Sequence, residues 1–478
     1  MMGISSGVLA VLWTVSQWAI RAGALVYVPF RRSPEAAKGW LLLFFVAPWP
    51  ALAIYWVIGR PRHPKWRRDR VKQLPEIVAK AAGRAHDALE RTAEDLPERC
   101  EPTAKLASAI GRLPPVGASR VELEPDYERV VERLVADIDA ARRHVHLMFY
   151  IFSLDETGER VLAALERAEK RGVECRLLID AIGSLTWSRA IARRLKDTGV
   201  ECHVVLPIRL VGRVTRADLR NHRKIAVIDG RIGWVGSQNI VDAEGEADAP
   251  NQELMARVTG LVVAELQVVF LGDWYLETDT ELIDDELFPM KPQEHQGSIA
   301  QIVPSGPDYP WARIDMLFSH LVQEARHRVT LATPYFVPSE PLLFALRTAA
   351  LRGLDARLII SGRTDSRIVD LAQSSYFLEL LEAGVRIFLC DTHFLHAKHI
   401  SMDDDIALIG SSNSDMRSFE LNSEISLVSY DPEVVAQLRA VEERHLAGCR
   451  EIDLDAWKQR RLPRRLAGNI ARLISPLL

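Results

Sequence analysis

Cysteine is scarce in this chain of 478 residues. The five present, Cys100, Cys175, Cys202, Cys390 and Cys449, are odd in number and widely scattered, and no C-x-x-C occurs. That pattern argues against a disulfide framework and against a structural zinc module, and it places the bulk of the chain in a reducing compartment. No Walker A loop and no G-x-G-x-x-G turn is present, so nucleotide chemistry is not expected. His144, His146, His203, His393 and His399 lack ligand-like spacing, so no metal or other cofactor is expected. A dominant charge is missing too. The 60 basic and 64 acidic side chains leave a net charge of −4, which argues against a general nucleic-acid coat. What is abundant is apolar surface, at 48% of residues, enough for a sizeable core and against global disorder. The length suits two to four compact units, or two large α/β ones.

The charge average hides an asymmetry. Residues 1–72 hold 11 Lys/Arg against 2 Asp/Glu, a surplus of +9, so the remaining 406 residues carry −13. Six of the 11 tryptophans also precede residue 67. A basic, Trp-rich, apolar N-terminus on an acidic body predicts a membrane anchor. Residues 39–58 form 20 uncharged positions, enough to span about 30 Å of hydrocarbon as a helix that Pro48 and Pro50 should kink. Residues 7–30 form a second apolar stretch containing Arg21, which could snorkel from a membrane helix; a re-entrant or interfacial helix is the rival reading. The basic cluster after residue 58 (Arg60, Arg62, Lys65, Arg67, Arg68, Arg70, Lys72) exceeds Arg31, Arg32 and Lys38 in the intervening loop. Two spans with both termini and the large domain in the cytoplasm are therefore expected, as a multi-pass protein of the inner (cytoplasmic) membrane.

Past a polar helical linker at 73–119, the chain repeats itself. A helix at Tyr127–Ala141, an apolar strand at Val145–Phe152, a helix at Thr157–Arg171, Gly172 and a strand at Glu174–Ile179 are followed by a second copy. That copy reads helix Ile314–Ala325, strand Val329–Phe336, helix Glu340–Arg352, Gly353 and strand Asp355–Ile360. Such alternation predicts an α/β fold with mostly parallel sheets covered by helices. The expected units are an anchor at 1–72, halves at 120–290 and 291–440 joined near 285–298, and a basic tail at 441–478.

Each half then carries one unusual string. His222-Arg223-Lys224 leads to Asp229 and to Gly236-Ser237-Gln238-Asn239. His396-Ala397-Lys398 leads to Asp403 and to Gly410-Ser411-Ser412-Asn413, with identical H-x-K-x4-D-x6-G-S-x-N spacing. In a strand, positions i and i+2 share a face, so His and Lys point the same way. Asp229-Gly230 favours a type I′ turn whose returning strand brings Ser237 and Asn239 back beside the His/Lys end. Each half thus gathers an imidazole, an ammonium, a hydroxyl and an amide, a set suited to a phosphate. At the turns, Asp229 and Asp403 are better explained by hairpin geometry than by catalysis.

The duplicated string resembles the HKD motif of the phospholipase D superfamily, and the resemblance covers nearly all of 120–440. More narrowly, the chain is similar to bacterial cardiolipin synthases in Tyr150-Ile151-Phe152, Arg220-Asn221-His222-Arg223-Lys224, Ser305-Gly306-Pro307-Asp308, Thr333-Pro334-Tyr335-Phe336-Val337-Pro338, Asp415–Glu424, the closing 473–478 and the apolar N-terminal segments. The resemblance implies a duplicated phospholipase D-like fold, two mixed or mostly parallel sheets flanked by helices in one pseudo-two-fold body behind a transmembrane helical anchor. It implies phosphatidyl transfer between two phosphatidylglycerols without cofactor, through a phosphohistidine, with anionic membrane lipid as partner, no nucleic acid and oligomerisation possible. His222 would be the nucleophile and His396 the general acid/base, although the two halves are too alike for the sequence to separate those roles. Lys224, Lys398, Asn239 and Asn413 would hold the phosphate, Ser237 and Ser411 would support them, and Glu253 and Glu424 would orient the histidines; Asp229 and Asp403 complete the motif. A phospholipase D-type hydrolase, an HKD nuclease or phosphodiesterase, and a non-catalytic scaffold are the alternatives, and phosphatidylethanolamine or a free alcohol could be the second substrate. The tail from Trp457 to Leu478 mixes six basic residues with Leu and Ile. It could lie on an anionic leaflet, and an ordinary solvated terminal helix fits nearly as well.

Overall fold

A computed structural model describes the chain except residues 1–5, 33, 60–64, 85–94, 208–217, 244–249, 283, 290–296, 310–312, 363, 365 and 475–478. Arg60 and Arg62 of the basic cluster, the middle of the expected join at 285–298 and the closing four residues lie outside the described residues.

The apolar N-terminus folds as α1 (Ser6–Tyr27), α2 (Pro34–Val46) and α3 (Pro48–Ile58). At about 1.5 Å per residue α1 can cross about 30 Å of hydrocarbon, and it is the one helix among the described residues long and apolar enough to do so. The expected second span is a correction. Pro48 and Pro50 have no N–H, so the helical ladder breaks at Ala47, with φ −138° and ψ 78°. The chain then reverses. In a straight helix Trp40 and Tyr55 would stand about 22 Å apart, yet the Tyr55 ring lies 4.9 Å from Trp40 and 5.6 Å from Phe44. The kink expected at the prolines is therefore a hairpin turn. At its tip Trp49 stacks on Trp13, 6.1 Å away, and Arg21 donates to the Phe45 carbonyl at 3.1 and 3.2 Å, at the broken end of α2. At its base Arg32 donates to the Gly59 carbonyl at 3.0 Å, so both ends of the hairpin meet at one level.

From there α4 (Lys65–Arg84) bolts the anchor to the body. Arg67 is 1% exposed and pairs with Glu277 and Asp308, and Arg70 donates to the Leu276 carbonyl at 2.7 Å. These two cations therefore serve packing rather than a membrane surface. The expected linker also docks. In α5 (Glu101–Gly111), Ala104, Ala107 and Ile110 enter the core of the second half.

The first half comprises β1 (Val116–Glu124), α6 (Tyr127–Ala140), β2 (His144–Phe149), α7 (Glu156–Lys170), β3 (Glu174–Asp180), α8 (Ser188–Leu195), β4 (Glu201–Val205), β5 (Arg220–Asn221), β6 (Ile225–Ile228), β7 (Ile232–Gly236), β8 (Asn251–Gln252), β9 (Met255–Gly260) and α9 (Val262–Thr278). The second comprises β10 (Ser298–Ser305), α10 (Ile314–Glu324), β11 (Arg328–Thr333), β12 (Phe336–Val337), α11 (Glu340–Leu351), β13 (Asp355–Ser361), α12 (Arg367–Ala383), β14 (Arg386–Cys390), β15 (Phe394–Leu395), β16 (His399–Met402), β17 (Ile406–Gly410), β18 (Ser414–Asp415), α13 (Met416–Glu420), β19 (Asn422–Ser429) and α14 (Pro432–Leu446). It continues into β20 (Cys449–Glu451), α15 (Leu454–Lys458) and α16 (Leu462–Ile474).

Strand order is β1-β9-β7-β6-β2-β3-β4 in the first half and β10-β19-β17-β16-β11-β13-β14-β20 in the second. The two half-sheets join where β1 and β10 pair antiparallel, so the sheet is continuous about a pseudo-two-fold at that seam. Along this strand order parallel pairing is confined to β2-β3-β4 and β11-β13-β14, the helix-crossover strands, and the hairpin strands make the rest antiparallel; off that path, β5 adds to β19 in parallel. The repeat extends to helix ends. Gly172 and Gly353 take φ of +87° and +88° after α7 and α11, a conformation that costs a side-chain-bearing residue.

The cysteines hold one departure from expectation. Cys390 and Cys449 stand directly opposite each other on β14 and β20 and are joined as a disulfide. A register pair 59 residues apart in sequence leaves no spacing signal for a reader of the chain. His393 lies beside the two sulfurs, which are spent on each other.

Candidate active site

Both H-x-K strings fall in short connections rather than inside the sheet: 222–224 between β5 and β6, 396–398 between β15 and β16. The expected strand alternation is therefore not what aligns each pair. Instead each lysine folds back on its own histidine's carbonyl, Lys224 Nζ at 2.7 Å from His222 O and Lys398 Nζ at 2.5 Å from His396 O.

The halves exchange strands here. β5, just before His222, pairs in parallel with the start of β19; β15, just before His396, pairs in parallel with β8. His222 N–H donates to Ser423 O at 2.8 Å and His396 N–H to Gln252 O at 2.8 Å. This backbone crossing delivers each glutamate to the other half's histidine. His222 Nδ1 lies 3.2 Å from Glu424, and His396 Nδ1 lies 2.6 Å from Glu253. Engaging Nδ1 leaves Nε2 of each ring outside the contact with the carboxylate. Ser237 donates to Glu253 and Ser411 to Glu424, both at 2.5 Å, so the two serines fix carboxylates rather than face the cleft.

Tyr150, Arg220, His222, Asn239, Tyr335, His396, Asn413 and Arg417 are among the residues lining a cleft of about 660 Å³. The Tyr150 ring packs 4.7 Å from His222, with Lys224 Nζ 5.5 Å above it, whereas Phe394 stacks on His396 at 5.6 Å. Asn239 accepts the Ile151 N–H at 3.1 Å, which turns its amide donor side away from that strand end.

Electrostatics follow from burial. Desolvation, aided by Lys224, lowers the His222 pKa; desolvation brings His396 down to about 4 against the pull of Glu253. Both shifts favour the neutral form of the ring near pH 7. Burial would raise Glu253, but His396 and Lys398 beside it hold that carboxyl at about 2; Glu424 is likewise lowered, by His222 and Lys224 against burial. Burial also drops Lys224 to about 8 and Lys398 to about 7. A bound phosphate anion would restore full charge to both ammonium groups.

Asp229 and Asp403 stand outside the cleft. Asp229 accepts the N–H groups of Arg142, Arg143 and His144 at 2.8–3.0 Å, and Asp403 those of Arg326, His327 and Arg328 at 2.8–2.9 Å. Each clamps the loop entering β2 or β11 from a turn with positive φ, +52° and +46°. They serve hairpin geometry, and their place among the motif's catalytic letters is a structural one.

Several contributors went unread in the sequence. Arg223 between His222 and Lys224 is buried, pairs with Asp273 and donates to Glu424 O at 3.0 Å. Ser418 donates to Glu424 at 2.9 Å. Asp180 accepts Asn221 N–H at 3.0 Å and meets Arg220 at 3.3 Å. Arg417 and Ser418 belong to the phrase Asp415–Glu424, so position within that phrase was the available signal.

Two related halves, each giving one histidine, with its lysine packed behind it, to a shared cleft and one glutamate to its twin, define the phospholipase D-like class. A family model described as cardiolipin synthase, PLD-like domain, matches residues 134–274 and 318–446, one segment in each half. The chain is 34% identical over 462 residues to a cardiolipin synthase of Geobacillus kaustophilus, covering 95% of this chain and 91% of that one. It is 32% identical over 483 residues to cardiolipin synthase A of Serratia proteamaculans, covering 98% and 99%. The crystal structure of phosphatidylserine synthase from Haemophilus influenzae shares the fold at a TM-score of 0.60 and 15% identity, over 78% of this chain and 99% of that one. This chain belongs to the cardiolipin synthase family.

Proposed function

We propose that this protein joins two phosphatidylglycerol molecules into cardiolipin and glycerol. The observation that carries the reading is the crossed pair of His–Glu contacts at one cleft, in a chain aligned almost end to end with cardiolipin synthases. His222 Nε2 attacks phosphorus as the bond to the glycerol headgroup breaks. His396, protonated once the phosphodiester's negative charge sits beside it, gives its proton to the departing glycerol oxygen. The headgroup hydroxyl of a second phosphatidylglycerol then passes its proton back to His396, its oxygen bonds phosphorus, and the P–N bond to His222 breaks. Lys224, Lys398, Asn239 and Asn413 hold the non-bridging oxygens as charge builds. Incubating the purified chain with labelled phosphatidylglycerol, without nucleotide or divalent metal, is expected to yield cardiolipin and glycerol in equal amounts. Phosphatidic acid as the main product would sink the transferase reading in favour of hydrolysis.

For placement we infer a single crossing by α1, with the α2–α3 hairpin dipping in and returning, and the catalytic body on the cytoplasmic side. All 11 basic residues of the first 72 then fall on the body side or within α1, and residues 1–20 carry none. Arg31 and Arg32 now support the orientation that a two-span arrangement made awkward. A reporter fused before α1 should read periplasm, and one after α16 cytoplasm. Alkylation in intact cells should find Cys390 and Cys449 as thiols, since cytoplasmic thiol pools open such pairs. An N-terminal reporter reading cytoplasm, or a bridge intact in living cells, would overturn this topology.

A further inference from the structure

The C-terminal helix has two faces with different fates. Gly468 and Ala471 are buried against α12, where a Cβ on Gly468 would come within 3.0 Å of the Leu371 carbonyl. Arg472 fixes the docking by pairing with Glu379 at 2.6 Å and lying 4.1 Å from the Tyr376 ring. Across the helix, Leu462, Leu466, Ile470 and Leu473 recur at spacings of four, four and three and are 52–64% exposed. Four large aliphatic side chains in one row facing water are unfavourable unless something apolar covers them.

Where the helix meets α12 is a small cavity of about 110 Å³, with Ser374, Trp457, Arg460, Arg464, Arg465 and Gly468 in its lining. Arg460 lies flat on Trp457, 3.8 Å from the ring. Burial, and then Arg464 close by, lower the Arg460 pKa, as expected where cations crowd without a counter-charge. Among the described residues no carboxylate pairs with Arg460, Arg461, Arg464 or Arg465, whereas Lys458 and Arg472 on either side do have acidic partners. The helix also touches α2 of the anchor, which places it at the membrane end of the body.

We infer that α16 lies in the membrane surface, with Leu462, Leu466, Ile470 and Leu473 among the acyl chains and Arg460, Arg464 and Arg465 holding the headgroup phosphate of an anionic lipid. A second copy of the chain could cover the stripe but would leave the arginine cavity without an anion. Continuity with the anchor and the sign of the charge both favour the bilayer. The inference stands apart from the reaction assigned to the cleft.

The test uses the full chain in vesicles, with a photoreactive residue at Leu466 or Ile470 and a control at exposed Glu433 on α14. With phosphatidylglycerol present, the two stripe positions should give lipid adducts and the control none. Arg464→Gln and Arg465→Gln should each lower the adduct yield by up to about fivefold. No lipid adduct, an adduct to a second chain, or equal yields in phosphatidylglycerol and phosphatidylcholine vesicles would overturn the inference. A Leu466→Glu/Ile470→Glu variant should lose about tenfold in turnover on vesicle substrate and keep its rate on a monomeric short-chain phosphatidylglycerol. Unchanged turnover on vesicles, or equal loss on both substrates, counts against it. Cross-linking does not depend on turnover, so a wrong assignment of the reaction would leave that arm decisive.

Discussion

Replacing His222 by alanine is expected to abolish turnover and the covalent intermediate together, because it removes the nitrogen that bonds phosphorus. His396→Ala should also be nearly inactive on phosphatidylglycerol, since a placed general acid contributes about 10²- to 10⁴-fold. A phosphodiester with a good leaving group separates the two. It needs no acid for the first step, so His396→Ala should still accumulate phosphorus on His222, and the adduct should hydrolyse slowly without its base. Label on His396 would exchange the roles. Inversion at phosphorus with no adduct under rapid quench would rule out the two-step route.

The second large effect crosses the pseudo-two-fold. Glu424→Gln should act on His222, 202 residues earlier in the chain, and Glu253→Gln on His396, 143 residues later. Replacing the carboxylate that orients a catalytic imidazole costs up to roughly 10⁴-fold, so a loss of about 10²- to 10⁴-fold in kcat is expected for each. A pH profile separates positioning from mere packing. Glu424 raises the His222 pKa against burial and Lys224. Without that charge the His222 pKa falls, the neutral ring persists to lower pH, and the acid limb of kcat/KM should move down. An unchanged limb with an unchanged rate would remove Glu424 from the site.

The sequence exposed the chemistry more fully than the architecture that assembles it. The spaced H-x-K, Ser and Asn residues repeat, and repetition is visible without coordinates; so were Glu253 and Glu424 at matched positions. Their partners were not, because β5 joins β19 and β15 joins β8 only after the two halves meet at β1 and β10. Local periodicity carries no information about that seam. Arg67 shows a related limit. In a run of basic residues beside an apolar segment it reads as a surface charge, and only Glu277 and Asp308, distant in sequence, make it a buried bolt. Pro48 and Pro50 signalled a bend correctly, but composition does not give its angle, and the angle decides whether 39–58 crosses a membrane or returns from it.

The exchange of glutamates between halves has a consequence for how such a protein can change over generations. A half that drifted on its own would misplace the histidine of its twin as well as its own phosphate contacts, so substitutions around Glu253 and Glu424 are inherited as a joint problem. Separated by a cut in the gene, the two halves would each be a nucleophile or an acid without its carboxylate. Activity would return only when both fragments reassociate, so expressing them as two chains should rescue together what neither can do alone.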